Sequence, residues 1–146
     1  MNIAIGSDHA GYRYKTMLAE MLREAGHDVI DFGTNSEERA DYPDYAVATA
    51  RSVGSGQSQA GVLVCGSGIG VAITANKVTG VRAATCVTPE MAKLSRMHNN
   101  ANVVCIGERL VTPEEAKEIV NEFLQTGFEG GRHEDRVAKI HSLTGR

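Results

Sequence analysis

Short apolar runs alternate along the chain with segments in which apolar residues return every three or four positions. Runs at residues 2–6, 28–32, 62–65, 81–87 and 102–107 have the length and composition of buried strands. Between the first two, Met17, Leu18, Met21, Leu22 and Ala25 mark one face of a helix, and Gly26 is a natural stop for it. Pro43 stands where a first helical turn tolerates it and opens a helix over residues 44–52, which Gly54 to Gly56 ends. A glycine loop after the third run leads into a helix through Asn76. Thr88-Pro89-Glu90 has the capping threonine and leading proline of another, which runs out in Met97-His98-Asn99-Asn100. Thr112-Pro113-Glu114-Glu115 has the capping-box pattern, followed by the stripe Ala116, Ile119, Val120, Phe123 and Leu124. The turn at 127–131 then leads into a last helix over residues 132–143.

Five apolar strands alternating with helices predict an α/β protein, a doubly wound five-stranded parallel sheet in a Rossmann/flavodoxin-like three-layer sandwich. The frequency of such folds suggests strand order 2-1-3-4-5. Ligands of these sheets collect outside the carboxyl ends of the strands, near the point where strand order reverses. The loops after the first and third strands would flank that point, which puts Asp8 and His9 beside Cys65.

Composition adds mostly exclusions. At 146 residues, without a dividing linker, repeat or low-complexity stretch, the chain reads as a single domain over 1–146. A formal charge of -3, with no lysine or arginine cluster, gives no footprint for nucleic acid. The opening residues Met1-Asn2-Ile3-Ala4-Ile5-Gly6 carry neither a basic lead nor a long apolar stretch, so no signal peptide or membrane span is expected, and a cytoplasmic location is. Three cysteines, none spaced C-x-x-C, argue against a disulfide framework and a structural zinc site; Cys86 and Cys105 read as small apolar core residues.

The stretch V-L-V-C-G-S-G-I-G-V-A-I-T-A-N-K at 62–77 holds the candidate chemistry. Glycines at 66, 68 and 70 leave backbone N–H groups uncovered at a strand-to-helix turn, a cradle for a negatively charged oxygen. A thiol at its lip, Cys65, faces the positive end of a helix dipole, which should lower its pKa and make it a base or nucleophile near neutral pH. The glycines follow the wrong strand, with the wrong spacing, for a dinucleotide fold. No Gly-Lys-Ser/Thr closes a P-loop, and no arginine within the loop completes a thiol-phosphatase cradle.

The motifs G-S-D-H-A-G at 6–11, D-Y-P at 41–43, C-G-S-G-I-G at 65–70, A-N-K at 75–77, H-N-N at 98–100 and G-G-R-H-E-D-R at 130–136 together resemble the type B ribose-5-phosphate isomerases, a family shared with the galactose-6-phosphate isomerase subunits. The resemblance covers essentially the whole chain. It implies interconversion of D-ribose 5-phosphate and D-ribulose 5-phosphate, a step of the pentose phosphate pathway, through ring opening and a cis-enediolate. Cys65 would take the proton beside the carbonyl, and the backbone of Gly66, Ser67, Gly68, Ile69 and Gly70 would hold the enediolate oxygen. Some members use a glutamate at the place of Val71 and lack the cysteine; this chain has the cysteine. His98 matches the ring-opening residue, and an imidazole can give or take a proton near pH 7. The resemblance places Asn99, Arg109, Arg132 and Arg136 around the substrate, the arginines on phosphate, and Asp8 with His9 on the sugar. Ser67 joins Cys65 and His98 among the catalytic residues and, with Tyr42, supports the substrate.

Moving a proton between adjacent carbons needs a base and a preorganised anion site, so no cofactor and no metal is expected. The resemblance also implies a homodimer whose site is shared between subunits, and leaves the pairing of dimers open. Duller readings stand beside these: Asp8 as a turn former, His98 as a helix-end cation, and Arg132 with Arg136 as a solvated face. His27 and His141, with no motif around them, read as surface residues. The motif residues do not separate pentose phosphate from allose 6-phosphate, galactose 6-phosphate or a tetrulose phosphate, because pocket depth sets substrate length. A non-catalytic flavodoxin-like binding domain is the remaining alternative.

Overall fold

Every apolar run becomes a strand of one parallel sheet, and every periodic segment between runs becomes a helix. The computed structural model describes residues 1–146. In order, the elements are β1 (Asn2–Ser7), α1 (Tyr12–Glu24), β2 (Asp28–Asp31), α2 (Tyr42–Gly54), β3 (Ala60–Cys65), α3 (Ile69–Ala75), β4 (Ala83–Thr85), α4 (Pro89–Asn99), β5 (Val103–Gly107), α5 (Pro113–Gln125) and α6 (Arg132–Thr144). The caps work as the sequence suggests. Thr88 accepts from the Met91 N–H at 3.1 Å, and Thr112 and Glu115 form the reciprocal capping box. No helix is long and apolar enough to cross a membrane.

The strand order is β2-β1-β3-β5-β4, which corrects the expected 2-1-3-4-5 in its last two places. Burial explains the exchange. All five residues of β5 are buried, whereas β4 has three, all half-buried, and takes the edge. The step from β4 back to β5 reverses direction, so a right-handed crossover places α4 on the face that holds α1 and α5. That face buries Leu18, Leu22, Ala92, Ile119 and Phe123 against Ile3, Ile5, Val62, Val64, Val104 and Ile106. Each such Leu, Ile or Phe, fully buried, contributes about 1.5–3 kcal/mol relative to exposure.

The opposite face is tighter. Ala46, Ala50, Ala72 and Ala75 let α2 and α3 approach Ala4, Leu63, Val103 and Cys105 closely, and Val71 lies fully buried among them. β3, buried along its whole length, runs through the middle and ends in Cys65. β1 and β5 lie on either side of it and set its register: Ser7 opposes Val64, and Gly107 opposes Cys65. Three loops therefore open together at the carboxyl end of the sheet.

Candidate active site

Backbone fixes the first part of the site. After Cys65 the chain turns through Gly68, whose φ of 76° suits glycine, and enters α3. The Gly68 N–H donates to Cys65 Sγ at 3.1 Å, which sets a positive dipole end on the sulfur. The N–H groups of α3's first turn have no intrahelical acceptor, and those beyond Ile69 remain available to an anion. Close packing holds this geometry. A Cβ on Gly107 would lie 2.6 Å from the Ser67 carbonyl carbon, so glycine there lets the loop rest on the end of β5. Ser67 Oγ accepts from the Ile69 N–H at 3.2 Å.

Side chains from the other two loops complete a cleft of about 360 Å³, lined by Asp8, His9, Tyr42, Cys65, Gly66, Ser67, Gly70, Arg109 and neighbours. Glu108 and Arg109 donate their N–H groups to the Cys65 and Gly66 carbonyls at 2.9 and 3.1 Å, tying the loop after β5 to the loop after β3. This tie lays the Arg109 guanidinium over Gly66, where a Cβ would stand 3.0 Å from Nη1. The arginine missing from the glycine loop is thus supplied from another strand. The Tyr42 ring packs on Gly70, with 2.7 Å left to a Cβ there. Asp8 is buried and caps a 3-10 turn by accepting from the Gly11 N–H at 3.1 Å, so its turn-forming role is present within the cleft. His9 Nδ1 lies 3.1 Å from both the nitrogen and the oxygen of Ala40, which fixes the ring against the loop at 33–41.

The remaining candidates gather elsewhere. His98 and Asn99 end α4, and Arg132 and Arg136 begin α6, all at the amino ends of the strands. Asn102, three residues beyond Asn99, bonds to Arg82, and Val103 opposes Gly61. Cys65 lies four residues further along β3, about 13 Å at roughly 3.3 Å per residue. Within one chain the structure therefore brings Asp8, His9, Tyr42, Arg109 and the glycine loop to Cys65, and does not bring His98, Asn99, Arg132 or Arg136 there. Helices antiparallel to their strands impose this separation.

His98 has company that the sequence reading missed. Its ring stacks on His133 with centroids 4.5 Å apart, and its Nε2 lies 3.8 Å from Glu129 Oε2. Burial of the His133 ring, aided by His98 and Arg132, holds its pKa below the usual histidine range. The signal was available, since His133 lies inside the motif that supplies Arg132 and Arg136. Lys15 was also missed: it is buried and binds both carboxylate oxygens of Asp31 at 2.9 and 2.8 Å and the Thr34 carbonyl at 2.6 Å, anchoring the loop that carries Ala40. Its spacing to Leu18 and Leu22, three and seven residues, had marked it as facing the core.

Burial pushes the Cys86 thiol to about 11 and Cys105 well above its ordinary value, as befits the apolar roles expected of them. His141 is not a free surface residue. It is half-buried, with Nε2 2.9 Å from Arg82 Nη1, beside a separate cavity of about 450 Å³ that Asn99 also lines and Cys65 does not.

A thiol at a strand end, amides at a helix start and an arginine across the cleft suit a small anionic ligand in a doubly wound α/β enzyme. The chain belongs to the ribose/galactose isomerase family, whose family model matches residues 3–140. It is 46% identical to ribose-5-phosphate isomerase B of Escherichia coli over 99% of this chain and 97% of that protein. The structure of ribose-5-phosphate isomerase B from Clostridium thermocellum superposes with a TM-score of 0.98 at 47% identity, covering 99% of this chain and 98% of that one. That of the Mycoplasma genitalium enzyme with bound ribulose-5-phosphate gives 0.95 at 43% identity, covering 99% and 97%.

Proposed function

We propose that the protein is an aldose-ketose isomerase that interconverts D-ribose 5-phosphate and D-ribulose 5-phosphate, with Cys65 as the base. The observation that carries this reading is Cys65 at the lip of the amide loop with the Gly68 N–H on its sulfur. In the open-chain aldose, the Cys65 thiolate takes the proton from C2, the electron pair moves toward O1, and a cis-enediolate forms. Return of that proton to C1, with a hydroxyl proton passing from O2 to O1, gives the ketose. Between the two proton transfers the charge is held on the two adjacent oxygens, so amides already aimed at them need little reorganisation. Val71, fully buried in the core, stands at the place of the alternative carboxylate base and offers no proton acceptor.

Ring opening needs a second acid-base group, assigned to His98, whose side chain is partly exposed. One chain holds it too far from its own Cys65. The reading therefore includes a homodimer in which His98 of the partner subunit, with the partner's Arg132 and Arg136, completes the cleft around Cys65. Exposed apolar side chains on α3 and α4, Ile69, Ile73, Met91 and Leu94, support a covered surface there. Arg109 and the two C-terminal arginines then hold the phosphate while Asp8 and His9 orient the sugar hydroxyls.

The test is interconversion of ribose 5-phosphate and ribulose 5-phosphate without added metal or nucleotide. Turnover of the pentose that falls by about 10²-fold or more in Cys65→Ala, the size expected for loss of a general base, supports reaction and base together. Turnover confined to another phosphorylated sugar contradicts the substrate, and full activity in Cys65→Ala contradicts the base.

A further inference from the structure

The proposed reaction uses His98 and leaves Glu129 and His133 without a task. One nitrogen of each ring and one oxygen of the carboxylate lie within 4.8 Å of one another. Backbone fixes the arrangement: the Glu129 N–H donates to the Met97 carbonyl at 3.1 Å in the last turn of α4, and the His133 N–H donates to the Gly130 carbonyl at 3.1 Å. Gly130 and Gly131 both take positive φ, 73° and 56°, and fold the start of α6 against the end of α4. Packed there, His133 is only 5% exposed, and its Nε2 is buried with no hydrogen-bond partner. An unsatisfied buried ring nitrogen is a standing cost, which a ligand beside it would remove.

Two imidazole nitrogens and one carboxylate oxygen are a donor set suited to zinc-class ions rather than to magnesium or calcium. Three protein donors with the fourth position open is a recurrent zinc arrangement. Bonds of about 2.0–2.1 Å in tetrahedral geometry put donors about 3.4 Å apart, so closure on an ion requires the donors to draw in by about 1 Å and the His98 ring to turn out of its stack on His133. His98 and Glu129 have room to rotate, with side chains 38% and 53% exposed. We propose that His98, Glu129 and His133 form a site for a divalent transition-metal ion of the zinc class, and that its occupancy inhibits the enzyme by withdrawing His98 from ring opening. The inhibitory half rests on the role given to His98 above; the binding half does not.

The experiment titrates Zn²⁺ against a chromophoric chelator with the full chain carrying Cys65→Ala, so that the thiol is no ligand. One equivalent per chain is expected, with a dissociation constant of about micromolar or below, weakened about tenfold or more by Glu129→Gln and by His133→Asn. Glu129 is a surface residue, so its variant keeps the test decisive if His133→Asn fails to fold. Binding unchanged in both variants, or absent up to about 100 µM Zn²⁺, overturns the site. In protein that retains Cys65, Zn²⁺ inhibits turnover of ribose 5-phosphate, and Glu129→Gln relieves that inhibition by the factor lost in binding. Inhibition that Glu129→Gln does not relieve overturns the inhibitory half. The role of His98 itself is measured in metal-free protein with His98→Asn, so its failure is distinguishable from failure of the zinc site.

Discussion

The two ends of the sheet solve different problems with different materials. At the carboxyl end, Cys65 and the loop beside it are set by close packing and backbone: glycines pressed against other segments of the same chain, amide N–H groups, and a strand buried along its whole length. At the amino end, His98, Arg132 and Arg136 are side chains on the ends of α4 and α6, all at least partly exposed. The first arrangement can stabilise a charge as it develops, because its donors are already in place and cannot turn away. The second offers exposed side chains suited to capture and proton exchange. Neither end suffices for the proposed reaction. A fold that aims its helices back along its strands holds the two ends apart within one chain, and a second chain is the proposed means of joining them.

Substitutions should separate the two ends by kind of effect as well as size. Beyond loss of the Cys65 thiol, an effect as large as any other is expected from Gly107→Ala. Its Cβ would meet Ser67 backbone rather than a flexible side chain, so the loop must shift. A displacement near 1 Å costs about 10²-fold in kcat. Steady-state kinetics beside a melting curve will check this, and a variant with unchanged kcat would remove the claim that backbone packing sets the cleft.

His98→Asn should slow turnover of ribose 5-phosphate by about 10²-fold, in the range for loss of an acid-base group, while sparing a substrate that cannot close a ring. Equal losses on both would place His98 in a step other than ring opening. Smaller still, Arg136→Ala should raise KM by about tenfold with kcat nearly unchanged, the size of one charge-assisted contact to phosphate. A drop in kcat at constant KM would move this arginine from holding the phosphate to the reacting atoms.

Much of this was legible in the chain because periodicity and caps are local. The five strands, the helix start at Thr112 and the turn through Gly68 follow from residues close to one another in sequence. What eluded the sequence was relational. The exchange of β4 and β5 depends on which strand is the more fully buried, and it moved α4 to the other face. Arg109 lies over Gly66 through hydrogen bonds between loops more than forty residues apart. Lys15 was hidden by its type, since a charged residue on a buried stripe is interpretable only once Asp31 and Thr34 are seen to meet it. His133 stood inside a quoted motif, but only the fold of the 127–131 turn against α4 makes it a neighbour of His98.

The central claim, that one chain's Cys65 works with the other's His98, is tested most directly by mixing. Cys65→Ala and His98→Asn chains, each nearly inactive alone, are combined under conditions of confirmed subunit exchange. A shared site gives every mixed dimer one site with both groups intact, so random pairing of equal amounts should restore about a quarter of wild-type activity. Mixed dimers no more active than the separate variants would contradict the shared site and require each chain to carry out the reaction with its own residues.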